Sequence, residues 1–152
     1  VVLRLAELYL IWAEADAELN NGPTADAYRM INYVRRRAAD ANVLPDLNRE
    51  NLDDPAVVKP VLGITPQTEL EKFRLALLQE RMLEFVGEGI RKVDMIRSGW
   101  SAELLENVNI ADYDEVKYLY MRRLFEKYSI FLPIPSREVT ISNGIIIQNY
   151  GY

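Results

Sequence analysis

The sequence predicts a mostly α-helical protein, and three observations support that fold class. Apolar residues recur at spacings of three and four along several stretches, which is the period of a helix rather than of a strand. Capping boxes at Thr68–Glu71 and Asp112–Glu115 mark two helix starts. Glycine-containing breaks separate the periodic stretches. The 152 residues are 49% hydrophobic and 27% charged, which is ordinary globular usage, and we expect a single helical domain over residues 1–152.

The first two helices form a pair. Residues 3–20 carry an apolar stripe that we expect to be buried, made of Leu5, Leu8, Trp12, Ala15 and Leu19. The helix ends at Asn20-Asn21-Gly22-Pro23, and Thr24 is the predicted N-cap of a second helix that reaches Ala38. Because the connection is short, the two helices are antiparallel neighbours. Ala6, Ala13 and Ala17 allow close packing. We expect tetratricopeptide-like pairs in series, although the strict repeat signature is absent.

The remaining elements follow in order. Residues 40–67 contain four prolines and no periodicity, which indicates a long loop that is functional or mobile. A third helix runs from Thr68 to Val86, a fourth over 90–98, and a fifth from Asp112 to about Tyr128. The stretch 129–135 is β-prone but limited by prolines, Ser136 can open a short helical turn, and Asn143-Gly144 marks a turn. The C-terminal tail is therefore expected to be small and irregular or β.

Composition excludes several functions. The net charge of −5 argues against nucleic-acid binding, which needs a basic surface to neutralise phosphates. There is no Cys and no His, so thiolate nucleophiles, histidine-based catalysis and the common zinc sites are absent, and we expect neither a metal nor a cofactor. No apolar run approaches the ~20 residues that span a bilayer. The chain opens on VVLRLAELY inside a helical pattern, so we expect it to be a piece of a longer protein.

The stretch ERMLEFVGEGIRKVDMIRSG, residues 80–99, concentrates the charges. A carboxylate row at i, i+4 and i+8 resembles what a glycosidase needs, but interleaved arginines would hold those carboxylates ionised and unsuitable as general acids. The alternative is a structural network, because charges inside a buried helix must find partners. We expect Glu80 or Glu84 to meet Arg91 or Arg97, and Arg81 to meet Asp94. The whole predicted network comprises Glu80, Arg81, Glu84, Glu88, Arg91, Asp94 and Arg97, with no catalytic residue.

Aromatic residues offer a second kind of site. Flat rings with polar tips can stack on sugars. Most tyrosines here lie at helical spacing and are expected to fill the core. Trp100 follows Gly99 in a loop, and Tyr113 and Tyr118 lie within the next twenty residues, so these three are candidate ligand contacts.

Four stretches together resemble the C-terminal region of the SusD/RagB family. The chain has the Arg-x-Ala-Glu-x-x-Leu-x-x-Ala-Glu-Ala helix (3–22) and the Ala-x-x-x-Ile-Asn-x-Val-Arg-x-Arg-Ala helix (27–38). It has Glu-Arg-x-x-Glu, then Glu-Gly-x-Arg, Asp, Arg and Gly (77–99), and Pro-Ile-Pro-x-x-Glu with a terminal Gln-Asn-x-Gly-Tyr (131–152). The order is the family's own. Lys92-Val93 stands where the family commonly has an aromatic pair, and 40–67 follows no pattern of the family.

The resemblance implies a non-catalytic lipoprotein of the outer membrane, exposed on the cell surface. It implies two partners: a SusC-like TonB-dependent transporter, and a glycan, or in some branches a peptide. Contact with the membrane would run only through an N-terminal lipid anchor that this chain lacks. A tetratricopeptide-like interaction scaffold without a small ligand is the first alternative. A carboxylate-based glycosidase is the second.

Overall fold

The computed structural model of the chain describes residues 3–38, 43–106 and 132–149. The helices in these ranges are α1 (Leu5–Leu19), α2 (Ala25–Ala38), α3 (Glu69–Glu84), α4 (Arg91–Ser98), α5 (Ser101–Glu106) and α6 (Ser136–Ile141), with a 3₁₀ turn at Arg49–Asn51. No strand occurs in the same ranges, so the mostly α fold class is confirmed. The short α5 is not predicted by the sequence. The predicted helix from Asp112 to Tyr128 lies outside the described residues.

The chain divides into two compact units, Val1–Ser101 and Ala102–Tyr152. The single domain expected over residues 1–152 stays a prediction. Among the helices in the described ranges, none combines the length and the apolar character needed to cross a bilayer.

Helices α1 and α2 form the predicted antiparallel pair. Asn21 adopts a positive φ of 52° in the connection, and the Thr24 hydroxyl accepts the backbone N–H of Asp26 at 3.1 Å as an N-cap. The ring centroids of Tyr9 and Tyr33 lie 5.3 Å apart, while the Thr24 hydroxyl donates to the Asp16 carboxylate at the other end of the pair. Contacts at both ends fix the antiparallel direction.

The predicted buried stripe of α1 is wrong. Leu5, Trp12 and Leu19 are 61%, 55% and 87% exposed, and Leu8 and Ala15 are exposed as well. The face that packs inside this unit carries Leu10, Ala13 and Ala17, of which none is more than 1% exposed. The physical reason is close approach, because small side chains let α1 lie near its neighbours. Helix α1 therefore has two apolar faces, and only the smaller-residue face is used within the unit.

Helix α3 begins at the predicted capping box. The Thr68 hydroxyl accepts the Glu71 N–H at 3.2 Å, while the Glu71 carboxylate accepts the Thr68 N–H at 3.1 Å. The fully buried Phe73 meets Tyr28 edge-on, with ring centroids 5.4 Å apart. The helix ends at Glu84, two residues before the predicted end.

Contacts between α3 and the first two helices set their directions. Arg4 meets Glu84 and Glu18 meets Arg74, so α1 and α3 are antiparallel. Pairs between α2 and α3 instead advance together along both helices, since Tyr28 meets Phe73, Arg35 meets Glu80 and Arg37 meets Glu84. Helices α2 and α3 therefore run parallel.

The segment between α2 and α3 packs on this three-helix core. The Asn32 side chain is buried, and its amide donates to the Leu47 carbonyl at 2.9 Å and accepts the Leu47 N–H at 2.7 Å. Leu52, Val58 and Ile64 are also buried further along the segment. Its described part, from residue 43 onward, is thus a packed loop attached to α2.

The tail is irregular around one short helix. Ser136 opens α6, and Asn143 and Gly144 have the positive φ values of the predicted turn. The β alternative is wrong for residues 132–149. Prolines flank Ile134, and the Gln148 side chain takes both backbone groups of Ile134, accepting its N–H at 2.7 Å and donating to its carbonyl at 2.8 Å. The Gln148 side chain thus makes the two hydrogen bonds to Ile134 that a neighbouring strand would make in a sheet.

Candidate functional site

Arg81 and Asp94 form the pair that the sequence predicts between α3 and α4. Nε and Nη2 of Arg81 donate to the two carboxylate oxygens of Asp94 at 3.0 and 2.9 Å. The two side chains are only 7% and 4% exposed. A bidentate pair of this kind compensates both buried charges in a planar geometry, and it leaves Arg81 Nη1 buried without a hydrogen-bond partner among the described residues.

Glu80 has a different partner from the predicted one. Arg35 of α2, rather than Arg91 or Arg97, donates from Nη1 to Glu80 Oε2 at 2.9 Å, and both side chains are at most 4% exposed. Arg35 also donates from Nε to the Pro45 carbonyl at 3.1 Å. The prediction failed because the partner lies on the parallel helix α2, 45 residues earlier. Arg35 consequently joins α2, α3 and the packed loop.

Glu84 and Glu88 also pair outside the signature stretch. Arg4 donates to Glu84 Oε1 at 2.9 Å and to Glu88 Oε1 at 2.6 Å, and Arg37 donates to Glu84 Oε2 at 2.6 Å. The guanidinium carbons of Arg4 and Arg81 lie 5.0 and 5.2 Å from the centroid of the buried Phe85 ring. The end of α3 is thus held by Arg4, which directly precedes α1, and by Arg37 at the end of α2.

Arg91 and Arg97 serve other contacts. Arg91 donates to the backbone carbonyl of Leu78 at 3.2 Å, and burial lowers its pKa. Arg97 pairs with Glu14 of α1 at 2.6 Å. The expected contacts of either arginine with Glu80 or Glu84 are therefore wrong, because α1 and the α3 backbone lie closer to α4.

A cleft of about 370 Å³ opens beside this network, between α1, α3 and α4. Three ion pairs line it, and Leu77 and Leu78 contribute apolar surface. The full lining comprises Glu14, Glu18, Glu71, Arg74, Leu77, Leu78, Arg81, Asp94, Arg97, Ser98 and Trp100.

Trp100 is the aromatic side chain of the cleft and is half-buried. Gly99, with a φ of 76°, ends α4, and the Trp100 N–H donates to the Ser98 hydroxyl at 3.2 Å. This local geometry sets Trp100 at the cleft. Tyr113 and Tyr118 lie outside the described residues.

The carboxylates of the cleft are arranged as ion-pair partners and caps. A hydrogen bond from Arg74, at 2.5 Å, lowers the pKa of Glu18. Backbone N–H groups of Gln67 and Thr68 lower the pKa of Glu71. Both groups are thus charged at neutral pH and cannot act as general acids. No three carboxylates in the described ranges come together in a way that would hold a metal ion.

Glu80 is a buried carboxylate of the network, and its pKa is raised. Burial raises it and outweighs the attraction of Arg35. A raised pKa suits a general acid, but Glu80 is 3% exposed and lies against Arg35, so a substrate cannot reach it.

Most of the ion-pair partners that the sequence did not predict lie in residues 3–22 and 27–38, the first two stretches that resemble the family. Arg4 and Glu14 of the first stretch pair with Glu88 and Arg97 of the third. Arg35 of the second pairs with Glu80 of the third. One available signal was position, since Arg35 follows Ile31 by four residues on the buried face of α2. These motifs therefore describe contacts between helices.

The fold and the network together define the architectural class of this protein. Parallel and antiparallel helices are joined by ion pairs between buried and half-buried side chains, and Trp100 lines a cleft between α1, α3 and α4. This is the organisation of a helical module whose helices are held together by ion pairs.

The chain belongs to the SusD family, whose model matches residues 1–152. SusD-like protein P25 of Formosa agariphila is 31% identical over 156 aligned positions, which cover 100% of this chain and 24% of that protein. SusD-like protein P38 of the same organism is 29% identical over 136 positions, covering 89% of this chain and 24% of that protein. The chain thus spans about a quarter of the length of these relatives. No solved structure matches it significantly.

The resemblance deduced from the four motifs is thereby confirmed. Proteins of the SusD family are binding proteins of the outer-membrane surface, they act in nutrient uptake, and they generally pair with SusC-like transporters.

Proposed function

We propose that this chain is the helical C-terminal part of a cell-surface glycan-binding protein in a SusC/SusD-type uptake system. The observation that carries the proposal is the family match over residues 1–152. The full-length protein would be anchored in the outer membrane by a lipid, bind an oligosaccharide or polysaccharide, and deliver it to a SusC-like transporter. Peptides are the alternative cargo.

We propose further that the protein binds its ligand without cleaving it. The ion-pair geometry supports this, because Glu80, Glu84 and Glu88 are all engaged by arginines. A glycosidase would need one carboxylic acid that is protonated and accessible.

Within this function, the network serves as architecture, and Trp100 is the candidate ligand contact among the described residues, beside Tyr113 and Tyr118 outside them. Most charged side chains that line the cleft are neutralised in three ion pairs, namely Glu14–Arg97, Glu18–Arg74 and Arg81–Asp94. The indole ring is left as the surface suited to stack on a sugar ring.

A glycan array with the full-length protein tests the binding function. We expect retention of at least one glycan class without turnover of the bound oligosaccharide. Failure to bind any glycan or peptide would favour the interaction scaffold. Turnover that disappears in a folded Glu84→Gln variant would favour a glycosidase.

A matched pair of variants tests the cleft. Trp100→Ala should weaken glycan binding roughly tenfold, which corresponds to the loss of one stacked aromatic ring. Tyr33→Ala, which removes a partly exposed aromatic ring of α2 away from the cleft, is the control, and circular dichroism must show that the helix pair survives the loss of its contact with Tyr9. Equal affinities of the two variants would place the ligand contacts elsewhere in the protein.

A further inference from the structure

Asn-Gly dipeptides occur at two places in the chain, Asn21-Gly22 and Asn143-Gly144. In such a dipeptide the backbone nitrogen of the glycine can attack the side-chain amide carbon of the asparagine. Glycine permits this approach because it has no Cβ to hinder it. Both asparagines are exposed and adopt a positive φ, of 52° and 51°. The two sites thus share their chemistry and their left-handed turn, and they differ in the state of the glycine N–H.

The N–H of Gly22 is held by the C-terminus of α1. It donates to the Ala17 carbonyl at 2.9 Å, in the hydrogen bond that closes a helix C-cap. Gly22 is also half-buried, and it is followed by Pro23, whose ring fixes the next backbone φ. The Gly22 nitrogen can therefore attack only after this end of the helix has opened, so reaction at Asn21 requires local unfolding.

The N–H of Gly144 has no such bond. The N–H before it, of Asn143, donates to the Thr140 carbonyl at 3.3 Å. The N–H after it, of Ile145, donates to the Ser142 carbonyl at 3.1 Å. Neither the Gly144 N–H nor the Asn143 side-chain amide makes a hydrogen bond among the described residues, and both residues are exposed. In the described part of the chain, both reacting groups are therefore open to water and free to approach each other.

We propose that Asn143 is a site of spontaneous deamidation in the folded protein, whereas Asn21 is protected. The Gly144 nitrogen forms a bond to Asn143 Cγ, and the side-chain amide takes up the proton of the Gly144 N–H and leaves as ammonia. This step closes a succinimide ring. Water then opens the ring at one of its two carbonyl carbons. One opening gives an aspartate, and the other gives an isoaspartate, in which the backbone continues through the former side chain.

The products change the turn that follows α6. Both replace a neutral amide with a carboxylate, and isoaspartate also inserts a methylene group into the backbone. The native turn lets the Ile145 and Ile146 N–H groups reach the carbonyl and the hydroxyl of Ser142, at 3.1 and 3.0 Å. A backbone that is longer at Asn143 cannot keep both hydrogen bonds in place. Formation of isoaspartate therefore loosens the connection between α6 and the segment that follows it.

Peptide mapping of the full-length protein by mass spectrometry tests the site. The native protein is incubated at mildly alkaline pH and then digested at acidic pH, which keeps the reaction from continuing during preparation. The peptide with Asn143 should accumulate aspartate and isoaspartate. The peptide with Asn21 should be modified at least roughly tenfold more slowly, as expected for a site that reacts only after local unfolding. In urea-unfolded protein, which is the reference, the two sites should react at similar rates.

Asn143→Gln is the matched variant, because a glutamine side chain would have to close a larger and less favourable ring. Methylation by a protein isoaspartate methyltransferase measures isoaspartate, and the variant should lose most of this signal while circular dichroism shows that it is folded. Equal rates at Asn21 and Asn143 in the native protein would overturn the proposal. An unmodified Asn143 under conditions that modify the unfolded protein would overturn it as well, and so would an undiminished isoaspartate signal in Asn143→Gln.

Discussion

The Arg35–Glu80 pair is the most buried ion pair between α2 and α3, and its removal is predicted to destabilise the chain strongly. Arg35→Met leaves the Glu80 carboxylate buried without a cation and removes the hydrogen bond to the Pro45 carbonyl. Glu80→Met, in turn, leaves the Arg35 guanidinium buried without an anion. Both methionines fill similar volume, so each variant isolates a charge effect.

The magnitude follows from burial. Both side chains are at most 4% exposed, and removing one partner of a buried pair costs about 3–5 kcal/mol. For a chain of this size, such a loss lowers the melting temperature by roughly 6–20 °C. The double variant Arg35→Met/Glu80→Met should cost much less than the sum of the single variants, because apolar replacement of a whole buried pair is often neutral or stabilising.

The pH dependence separates the two single variants. Burial already raises the pKa of Glu80 above its ordinary value of 4.5, and loss of Arg35 raises it further. A group with a raised folded-state pKa stabilises the fold in its protonated form, and this contribution is lost as the pH rises through that pKa. The loss in Arg35→Met should therefore be largest at neutral pH and shrink toward pH 4.5. Glu80→Met should show no such recovery.

The assay is urea unfolding followed by circular dichroism across this pH range, as a double-mutant cycle. Arg36→Met is the matched control, since Arg36 neighbours Arg35 on α2 but forms an exposed pair with Asp46. It should leave the urea midpoint unchanged. Single-variant losses below about 1 kcal/mol, or a double variant as costly as the sum, would refute the reasoning from buried charge.

Three further predictions concern single positions. Asn32→Leu leaves both backbone groups of Leu47 buried without a partner and should cost about 2–4 kcal/mol in urea unfolding; a loss under 1 kcal/mol would mean that water replaces the amide. Gly99→Ala should cost about 1 kcal/mol from its left-handed φ alone, because its Cβ meets no atom, whereas Gly22→Ala should be neutral, and equal effects would contradict this. Because the pKa of Glu18 is lowered, its ion pair with Arg74 stabilises the fold above pH 4.5, and this stability is lost as the pH falls. Glu18→Gln should therefore reduce the loss of stability between neutral and acidic pH in urea unfolding. An unchanged pH dependence would show that the pair contributes nothing to stability.

Local chemistry was predictable from the sequence, and long-range pairing was not. The Thr68–Glu71 cap and the Gly99 stop depend on residues close in sequence, and the structure has both. The Arg81–Asp94 pair was also accessible, since one short break separates the two helices. Arg35 could not be assigned to Glu80 because a helical period says which face is buried but not which neighbour lies opposite.

The error on α1 has a physical explanation. Periodicity gives most weight to large apolar side chains, so Leu5, Leu8 and Trp12 defined the predicted core. Close packing in this unit instead uses Ala13 and Ala17, whose small size brings the helix axes together. A sequence pattern identifies the more hydrophobic face of α1. The face that packs within the unit is instead the one whose small side chains allow close contact between helices.

The parallel course of α2 and α3 has a consequence for the length of the chain between them. After the end of α2, the chain must travel back about 24 Å, the length of the 16-residue α3, before α3 can begin parallel to α2. Roughly seven extended residues would cover that distance, and the chain has roughly thirty between the two helices. The segment is thus several times longer than the return path requires, and the additional residues supply the buried contacts of Leu47, Leu52, Val58 and Ile64. Shortening it to the length of a hairpin would reverse α3 and separate Glu80 from Arg35.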